Sequence, residues 1–140
     1  MQQQISLITL GVDDPARAKR FYAEGFGWAP AFAADDIAFF QMNGLVLGLW
    51  DRAALAQDAA CSGAAGSGSV ALAHNVASRE AVDAAIERLV AAGASLLRAP
   101  DAPPHGGYRG YVADPDGHVW EIAWNPAWPI DEDGRVTFGT

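Results

Sequence analysis

The feature that most constrains the fold is a repeat: the two halves of the chain show the same order of predicted secondary-structure elements. The first half begins with a leucine-rich, β-branched strand over 5–12, and Asp14-Pro15 then supplies a helix N-cap with proline in the first turn. A helix through Tyr22 leads to three short strand candidates, over 28–33, 37–42 and 45–50. An Asn43-Gly44 turn of the hairpin type joins the last two. The first half is therefore predicted to form one strand, one helix and three strands.

The second half repeats this order. A strand candidate covers 69–76, and Ser78 can cap a helix that runs to Ala92. Gly93 stands where a helix C-terminus favours a left-handed residue, and strands follow over 95–98, 110–113 and 119–124. The predicted fold class is α+β, with two βαβββ modules. Because each helix covers one face of its sheet, we expect the two sheets together to enclose a cleft.

The repeat also gives the predicted domain boundaries. The first module covers residues 1–54, the second covers 69–126, and residues 127–140 form a C-terminal tail. Between the modules, residues 55–68 are rich in alanine, glycine and serine and show no strong periodicity. This composition predicts a linker with about one helical turn.

Composition limits the classes of partner. The chain has 140 residues, 51% of them hydrophobic, which is enough to bury a core. Its formal net charge of −8 repels nucleic acid and anionic membranes, so we expect a neutral or cationic small organic molecule as partner. The single cysteine, Cys61, excludes an intramolecular disulfide. Without a secretory signal or a long apolar run at its start or elsewhere, the sequence predicts a cytoplasmic protein.

The stretch from Gly110 to Pro126 supports the strongest local prediction, a hairpin. Pro115 suits the second position of an Asp-Pro-Asp-Gly turn, and Gly117 accepts backbone angles that other residues resist. The strand after this turn places Glu121 among Val119, Trp120, Ile122 and Trp124. A carboxylate in such a run must face water, meet a partner or bind a cation, because burying it unpaired is costly.

The segments TLGVDDPARAKRFYAEGFGW and GYVADPDGHVWEIAW resemble the first strand and helix and the closing hairpin of the vicinal oxygen chelate superfamily. This superfamily includes glyoxalases, extradiol dioxygenases, fosfomycin resistance proteins and bleomycin-binding proteins. The resemblance implies two βαβββ modules that form an open, funnel-like eight-stranded mixed sheet. It also implies dimerisation, so a homodimer is expected. In members that use a metal, it implies one ligand from the first and fourth strand of each module.

Carried over position by position, the resemblance leaves one metal ligand. The four places hold Leu7, Gly48, Ser69 and Glu121, and only Glu121 has the residue type of the family. A divalent cation needs several oxygen or nitrogen ligands. We therefore expect no cofactor, and the residues disfavour a divalent metal.

Several residues are predicted to contact a ligand. Trp28, Phe40 and Trp50 fall in strands that should line the first module, where a flat or cationic molecule could stack. His105, in a proline- and glycine-rich loop, could reach the mouth of the cleft. The predicted ligand-binding residues are Leu7, Trp28, Phe40, Gly48, Trp50, Ser69, His105 and Tyr108.

Two functions follow as alternatives. The first is a glyoxalase-like protein that sequesters a small molecule in the cleft between the modules, without the usual metal. The second is a lyase, isomerase or dioxygenase-type enzyme that uses Glu121 as a metal ligand or as a catalytic base. Glu121 itself has three possible roles: a base or hydrogen-bond acceptor for a ligand, a buried residue satisfied by Ser69 or by backbone groups, or a metal ligand.

Overall fold

The computed structural model of the protein describes residue 3 and residues 6–60, 70–104 and 106–137. The chain divides into two compact units, residues 1–66 and 67–140. Within the described residues each unit contains a four-stranded mixed sheet, and the prediction of an α+β fold with two βαβββ modules is confirmed. That the two sheets enclose a cleft stays a prediction. No helix in the described part of the chain is long and apolar enough to cross a membrane.

The first unit follows the predicted order and adds a helix. Its elements are β1 (Leu7–Val12), α1 (Pro15–Phe21), β2 (Phe32–Ala33), β3 (Ile37–Gln41), β4 (Val46–Asp51) and α2 (Arg52–Asp58). Asp14 caps α1, since its Oδ1 accepts a hydrogen bond from the backbone N–H of Arg17 at 3.0 Å. One π-helical turn continues α1 and ends at Gly27, whose φ is 76°. The strand order is β1-β4-β3-β2, with β1 and β4 parallel.

Helix α2 begins at Arg52 and extends to Asp58, so it includes the start of the segment for which a linker with about one helical turn was predicted. Asp51 caps this helix by accepting a hydrogen bond from the backbone N–H of Ala54 at 2.9 Å. Side-chain atoms of Arg52 and Leu55 lie 3.4 Å from the place of a Cβ on Gly11, so α2 packs against β1. Alanine favours helix even without an apolar stripe, which accounts for a helix in a segment without strong periodicity. The rest of the predicted linker, from Cys61 onward, lies outside the described residues.

The second unit matches the predicted order closely. Its elements are β5 (Ala71–Asn75), α3 (Arg79–Ala91), β6 (Ser95–Asp101), β7 (Tyr108–Ala113) and β8 (Val119–Trp124). The Ser78 hydroxyl caps α3 by accepting a hydrogen bond from the backbone N–H of Ala81 at 3.2 Å. Gly93 follows the helix with φ 116°, the left-handed conformation expected there. The strand order is β5-β8-β7-β6, with β5 and β8 parallel.

In each unit one helix covers one face of the sheet and buries the core. Buried residues on this side include Val12, Phe40 and Leu49 in the first unit and Val112 and Ile122 in the second. We call the opposite side of each sheet its open face. The open face of the first unit carries Leu7, Thr9, Gly11, Ile37, Phe39, Gln41, Val46, Gly48 and Trp50, and α2 packs over its Gly11 end. That of the second carries Ala71, Ala73, Asn75, Arg109, Tyr111, Ala113, Val119, Glu121 and Ala123.

Candidate ligand-binding site

The turn between β7 and β8 sets the register of the second open face. Asp114 is buried, and its Oδ1 accepts hydrogen bonds from the backbone N–H groups of Asp116 and His118 at 2.9 and 2.8 Å. Its Oδ2 lies 2.9 Å from Nδ1 of the His118 ring. Gly117 has φ 88°, as expected in this turn. The turn so fixed brings Glu121 of β8 opposite Tyr111 of β7.

Glu121 is half-buried on the second open face, between Ala73 of β5 and Tyr111 of β7. The Tyr111 phenol and the Glu121 carboxylate belong to residues that face each other across the strand pair, and the two groups interact. Burial raises the pKa of Tyr111, the Glu121 carboxylate raises it further, and Arg109 opposes the rise. The phenol therefore remains a neutral donor near neutral pH. Of the partners proposed for Glu121, Ser69 lies outside the described residues, and the observed partner is Tyr111.

Three charged residues, Arg98, Asp101 and Arg109, contact one another in series, and Arg109 lies beside Tyr111. The Cζ atom of Arg109 lies 5.9 Å from the centre of the Tyr111 ring. The Arg109 side chain is 15% exposed and forms an ion pair with Asp101, which also pairs with Nη2 of Arg98 at 2.6 Å. Two register shifts in β6 allow Arg98 and Asp101 to meet although they are three residues apart, because bulges re-aim side chains.

The open face of the first unit contains an apolar cleft of about 370 Å³, lined by Leu7, Ala31, Phe39, Gln41 and Val46. The Phe39 ring lies beside Gly48. A Cβ on Gly48 would stand 3.2 Å from Cε1 of Phe39 and 3.3 Å from Oγ1 of Thr9. Because protein interiors are close-packed, a glutamate at residue 48 would have to displace the Phe39 ring. Glycine at this position thus allows an aromatic wall for the cleft.

The residues at the four positions implied by the resemblance do not form a usual metal ligand set. The side chains of Leu7 and Gly48 offer no oxygen or nitrogen. Leu7 pairs two residues before Gly48, and Ala71 pairs two residues before Glu121, so the register makes Ala71 the equivalent of Leu7. Across the described ranges, no group of three His, Cys, Asp or Glu side chains is arranged to hold a metal ion. No chemical step through a metal is therefore derived for these residues.

The structure places some of the predicted ligand residues on the open faces. Leu7, Gly48 and Trp50 lie on that of the first unit, and Glu121 lies on that of the second. The Trp50 indole N–H donates to Oδ2 of Asp36 at 3.4 Å. Their contact with a ligand stays a prediction. Ser69 and His105 lie outside the described residues.

Trp28 and Phe40 were expected to line the first module, and this placement is wrong. Phe40 is 1% exposed, and its ring lies 6.1 Å from that of Tyr22 on the helix side of the sheet. Trp28 precedes β2 and stacks on Phe26 with ring centres 4.3 Å apart. Side chains alternate along a strand, so Phe39 and not Phe40 shares the open face with Gly48.

Tyr108 also faces the helix of its unit. Its hydroxyl donates to Oδ1 of Asp83 in α3 at 2.9 Å, and this hydrogen bond raises the pKa of Tyr108. Cζ of Arg79 lies 5.5 Å from the ring centres of both Tyr108 and Trp124. These contacts tie α3 to the sheet. The predicted role of Tyr108 in ligand binding thus has no support from its position.

Sequence reasoning missed Arg109, Asp101 and the pairing of Tyr111 with Glu121. One signal for the pairing was present, because residues equidistant from a tight turn face each other across a hairpin. Residues 111 and 121 are such a pair. For Asp101 there was no signal, since the bulges in β6 break the alternation from which its direction could be inferred.

The comparisons with known proteins agree with this architecture. A family model described as Glyoxalase/Bleomycin resistance protein/Dioxygenase superfamily matches residues 4–122. The crystal structure of a glyoxalase-related enzyme from Fulvimarina pelagi is 57% identical, with a TM-score of 0.93, and the match covers 99% of this chain and 100% of that chain. A search of curated proteins gave no significant match.

Two more distant structures are similar. A glyoxalase/bleomycin resistance protein/dioxygenase family enzyme from Burkholderia phytofirmans PsJN is 25% identical, with a TM-score of 0.75, covering 85% of this chain and 96% of that chain. A lactoylglutathione lyase from Agrobacterium tumefaciens is 23% identical, with a TM-score of 0.68, covering 89% of this chain and 95% of that chain. The similarity to the lyase shows a shared fold alone.

Proposed function

Because the chain belongs to the glyoxalase/bleomycin resistance protein/dioxygenase superfamily, we propose that it binds a small organic molecule on an open face without a divalent metal. The observation that carries this proposal is the apolar cleft of the first unit, where Leu7 and Gly48 stand at positions for which the resemblance implies metal ligands. Its volume of about 370 Å³ lies in the range of small-molecule sites. The homodimer and the cytoplasmic location stay predictions.

The walls of the cleft favour a flat, apolar ligand with one hydrogen-bond donor. Leu7, Phe39 and Val46 supply apolar surface, and the ring of Phe32 lies 6.1 Å from that of Phe39 at the edge of the sheet. Nε2 of Gln41 donates to the backbone oxygens of Met42 and Leu45 at 2.9 and 3.3 Å. The amide oxygen of Gln41 therefore supplies an acceptor for a ligand hydroxyl or N–H.

An enzymatic function is favoured by a different observation, the position of Glu121 on the second unit. This carboxylate is half-buried, and its neighbour across the strand pair is the exposed Ala73. A carboxylate that a substrate can reach serves as a general base. In a lyase, isomerase or dioxygenase-type reaction, Glu121→Gln would abolish turnover and leave binding in the cleft of the first unit unchanged. The name of the Fulvimarina pelagi protein as a glyoxalase-related enzyme is consistent with this alternative.

Replacing Leu7 by lysine tests the binding proposal. We expect Leu7→Lys to weaken the binding of 2-naphthol, a flat molecule with one hydroxyl donor, at least about tenfold, because apolar contact is lost and a charge enters the cleft. Leu7 is 46% exposed, so the fold should tolerate the change. Isothermal titration calorimetry measures the affinity.

Leu97→Lys is the matched control. Leu97 is 54% exposed, lies in β6 of the second unit and is not a lining residue of the cleft, so the variant makes the same change in side chain and net charge. We expect it to bind 2-naphthol as the wild type does. An equal loss in both variants, or no loss in Leu7→Lys, would contradict binding in this cleft.

A further inference from the structure

The open face of the second unit carries a row of interacting polar side chains that runs across three strands. The row consists of Arg98 and Asp101 of β6, Arg109 and Tyr111 of β7, and Glu121 of β8. Asp101 accepts from both guanidinium groups of the row. Glu121 stands at the other end and meets the row only through the neutral phenol of Tyr111. The two carboxylates of the row thus have different partners.

Glu121 has acceptor capacity that Tyr111 does not fill. An ionised carboxylate has two oxygens and about four lone-pair sites, and the Tyr111 hydroxyl supplies one hydrogen. Among the residues that the structure describes, Glu121 forms no ion pair with arginine, lysine or histidine. A half-buried carboxylate with spare acceptor sites and no cation favours a positively charged donor.

The surroundings of Glu121 leave one side open to a ligand. Tyr111 covers the β7 side of the carboxylate. On the β5 side its neighbours are Ala73, directly opposite, and Ala71, one diagonal step away, and both are exposed. A methyl group is too short to cover a glutamate head group. A ligand therefore reaches Glu121 over the two alanines.

We propose that Glu121 binds an ammonium or amidinium group of a small organic ligand that approaches over Ala73, and that Tyr111 is a positioning residue that restrains the carboxylate from the β7 side. Arg109 restrains Tyr111 in turn, because its guanidinium lies beside the Tyr111 ring. This inference rests on the proposed binding of a small molecule on an open face, and it names the charge of a ligand for the open face of the second unit.

The charges of the row disfavour an anionic ligand at this place. To bind Arg109, an anion would have to compete with Asp101 for a guanidinium whose side chain is only 15% exposed. The formal net charge of −8 adds a long-range preference for cations. The pairing of Arg109 with Asp101 and the net charge of the chain thus favour an amine over a carboxylate or phosphate beside Glu121.

Three probes that share one ring separate these possibilities: benzylamine, benzyl alcohol and benzoate. Binding to the full chain is followed by the chemical shifts of the Ala71 and Ala73 methyl groups. We expect benzylamine to bind about tenfold more tightly than benzyl alcohol, with benzoate the weakest, and Glu121→Gln to remove the advantage of the amine. Benzoate binding as tightly as benzylamine, or an unchanged amine preference in Glu121→Gln, would overturn the inference.

The positioning role of Tyr111 has a separate test. We expect Tyr111→Phe to weaken benzylamine binding severalfold and to leave benzyl alcohol binding unchanged. Because Tyr111 acts through Glu121, the double variant Glu121→Gln/Tyr111→Phe should bind benzylamine no more weakly than Glu121→Gln alone. Additive losses would show that Tyr111 contacts the ligand itself and would overturn the positioning role. Tyr108→Phe, the same change on the helix side of β7, is the matched control and should have no effect.

The direction of approach is tested at Ala73. Ala73→Leu should block benzylamine at Glu121, and the small substitution Ala73→Ser should not. Equal binding of benzylamine to Ala73→Leu and Ala73→Ser would refute the proposal that the ligand reaches Glu121 over Ala73. If 2-naphthol binds the cleft of the first unit but no probe responds to Glu121, the inference fails and the proposed function stands. If neither 2-naphthol nor benzylamine binds, both fail.

Discussion

Replacing Asp114 by alanine is expected to lower the free energy of unfolding by about 3–4 kcal/mol. The Asp114 side chain is fully buried and accepts hydrogen bonds from two backbone N–H groups, and it also meets the His118 ring. Alanine would leave these donors without an acceptor in a buried turn, and each such loss costs about 1–3 kcal/mol. Urea denaturation followed by tryptophan fluorescence measures the change, with equal m-values as the check for two-state unfolding.

Asp114→Asn is the control that keeps the shape of the side chain. Its amide oxygen can still accept from the N–H groups of Asp116 and His118, so we expect a loss of only about 1 kcal/mol from the missing charge. If Asp114→Ala lowers the free energy of unfolding no more than Asp114→Asn does, these hydrogen bonds do not stabilise the turn. Because the same turn pairs Tyr111 with Glu121, a loosened turn should also reduce the preference for benzylamine.

Gly110→Ala is expected to lower the free energy of unfolding by about 2–3 kcal/mol through overpacking. A Cβ on Gly110 would overlap Cδ1 of Ile86 in α3, and it would stand 3.0 Å from the backbone oxygen of Arg98 and 3.2 Å from Cγ of Pro100. Helix α3 and strand β6 thus leave no space for a side chain on Gly110. The same denaturation experiment measures the effect.

Two variants separate overpacking from a general cost of alanine. Gly11→Ala makes the same substitution in β1, where the nearest atoms would be 3.4 Å from the new Cβ, an ordinary contact. We expect it to change stability by less than about 1 kcal/mol. Ile86→Val removes the Cδ1 methyl and should rescue part of the loss in Gly110→Ala. Equal costs at residues 11 and 110, without rescue, would refute the packing explanation.

Local sequence signals were sufficient to predict most of the fold. Asp14 and Ser78 cap helices as expected, Gly93 has the predicted positive φ, and β8 has the predicted bounds. Each of these signals acts through atoms within a few residues in the chain, which is why one sequence reveals it. The repeat of the signals was enough to predict two βαβββ modules.

The face of the sheet to which each side chain points was harder to predict than the presence of the strand. Phe39 and Phe40 are adjacent and chemically identical, and only the pairing with Gly48 shows that Phe39 belongs to the open face. A shift of one residue exchanges every side chain between core and open face. The ligand prediction for Phe40 placed it on the wrong side for this reason, whereas Trp28 lies outside the strand in which it was predicted.

The candidate site was predictable in part. Glu121 was identified because a carboxylate in an apolar run needs a partner, but the identity of that partner depended on the pairing of β7 with β8. The cleft of the first unit depends on Gly48 and on a ring from another strand, a contact that no local pattern encodes. The sequence thus indicated Glu121 on the second open face and Leu7, Gly48 and Trp50 on the first, but neither Tyr111 nor Phe39 beside them.

Ligand binding by chelator-treated protein tests metal independence most directly. Protein dialysed against EDTA is expected to bind 2-naphthol with the affinity of untreated protein, and added Zn²⁺, Ni²⁺ or Mn²⁺ should leave that affinity unchanged. Leu7→Lys should bind weakly under all of these conditions. Loss of binding after chelation, with recovery on addition of one equivalent of a divalent cation, would contradict a metal-free ligand site.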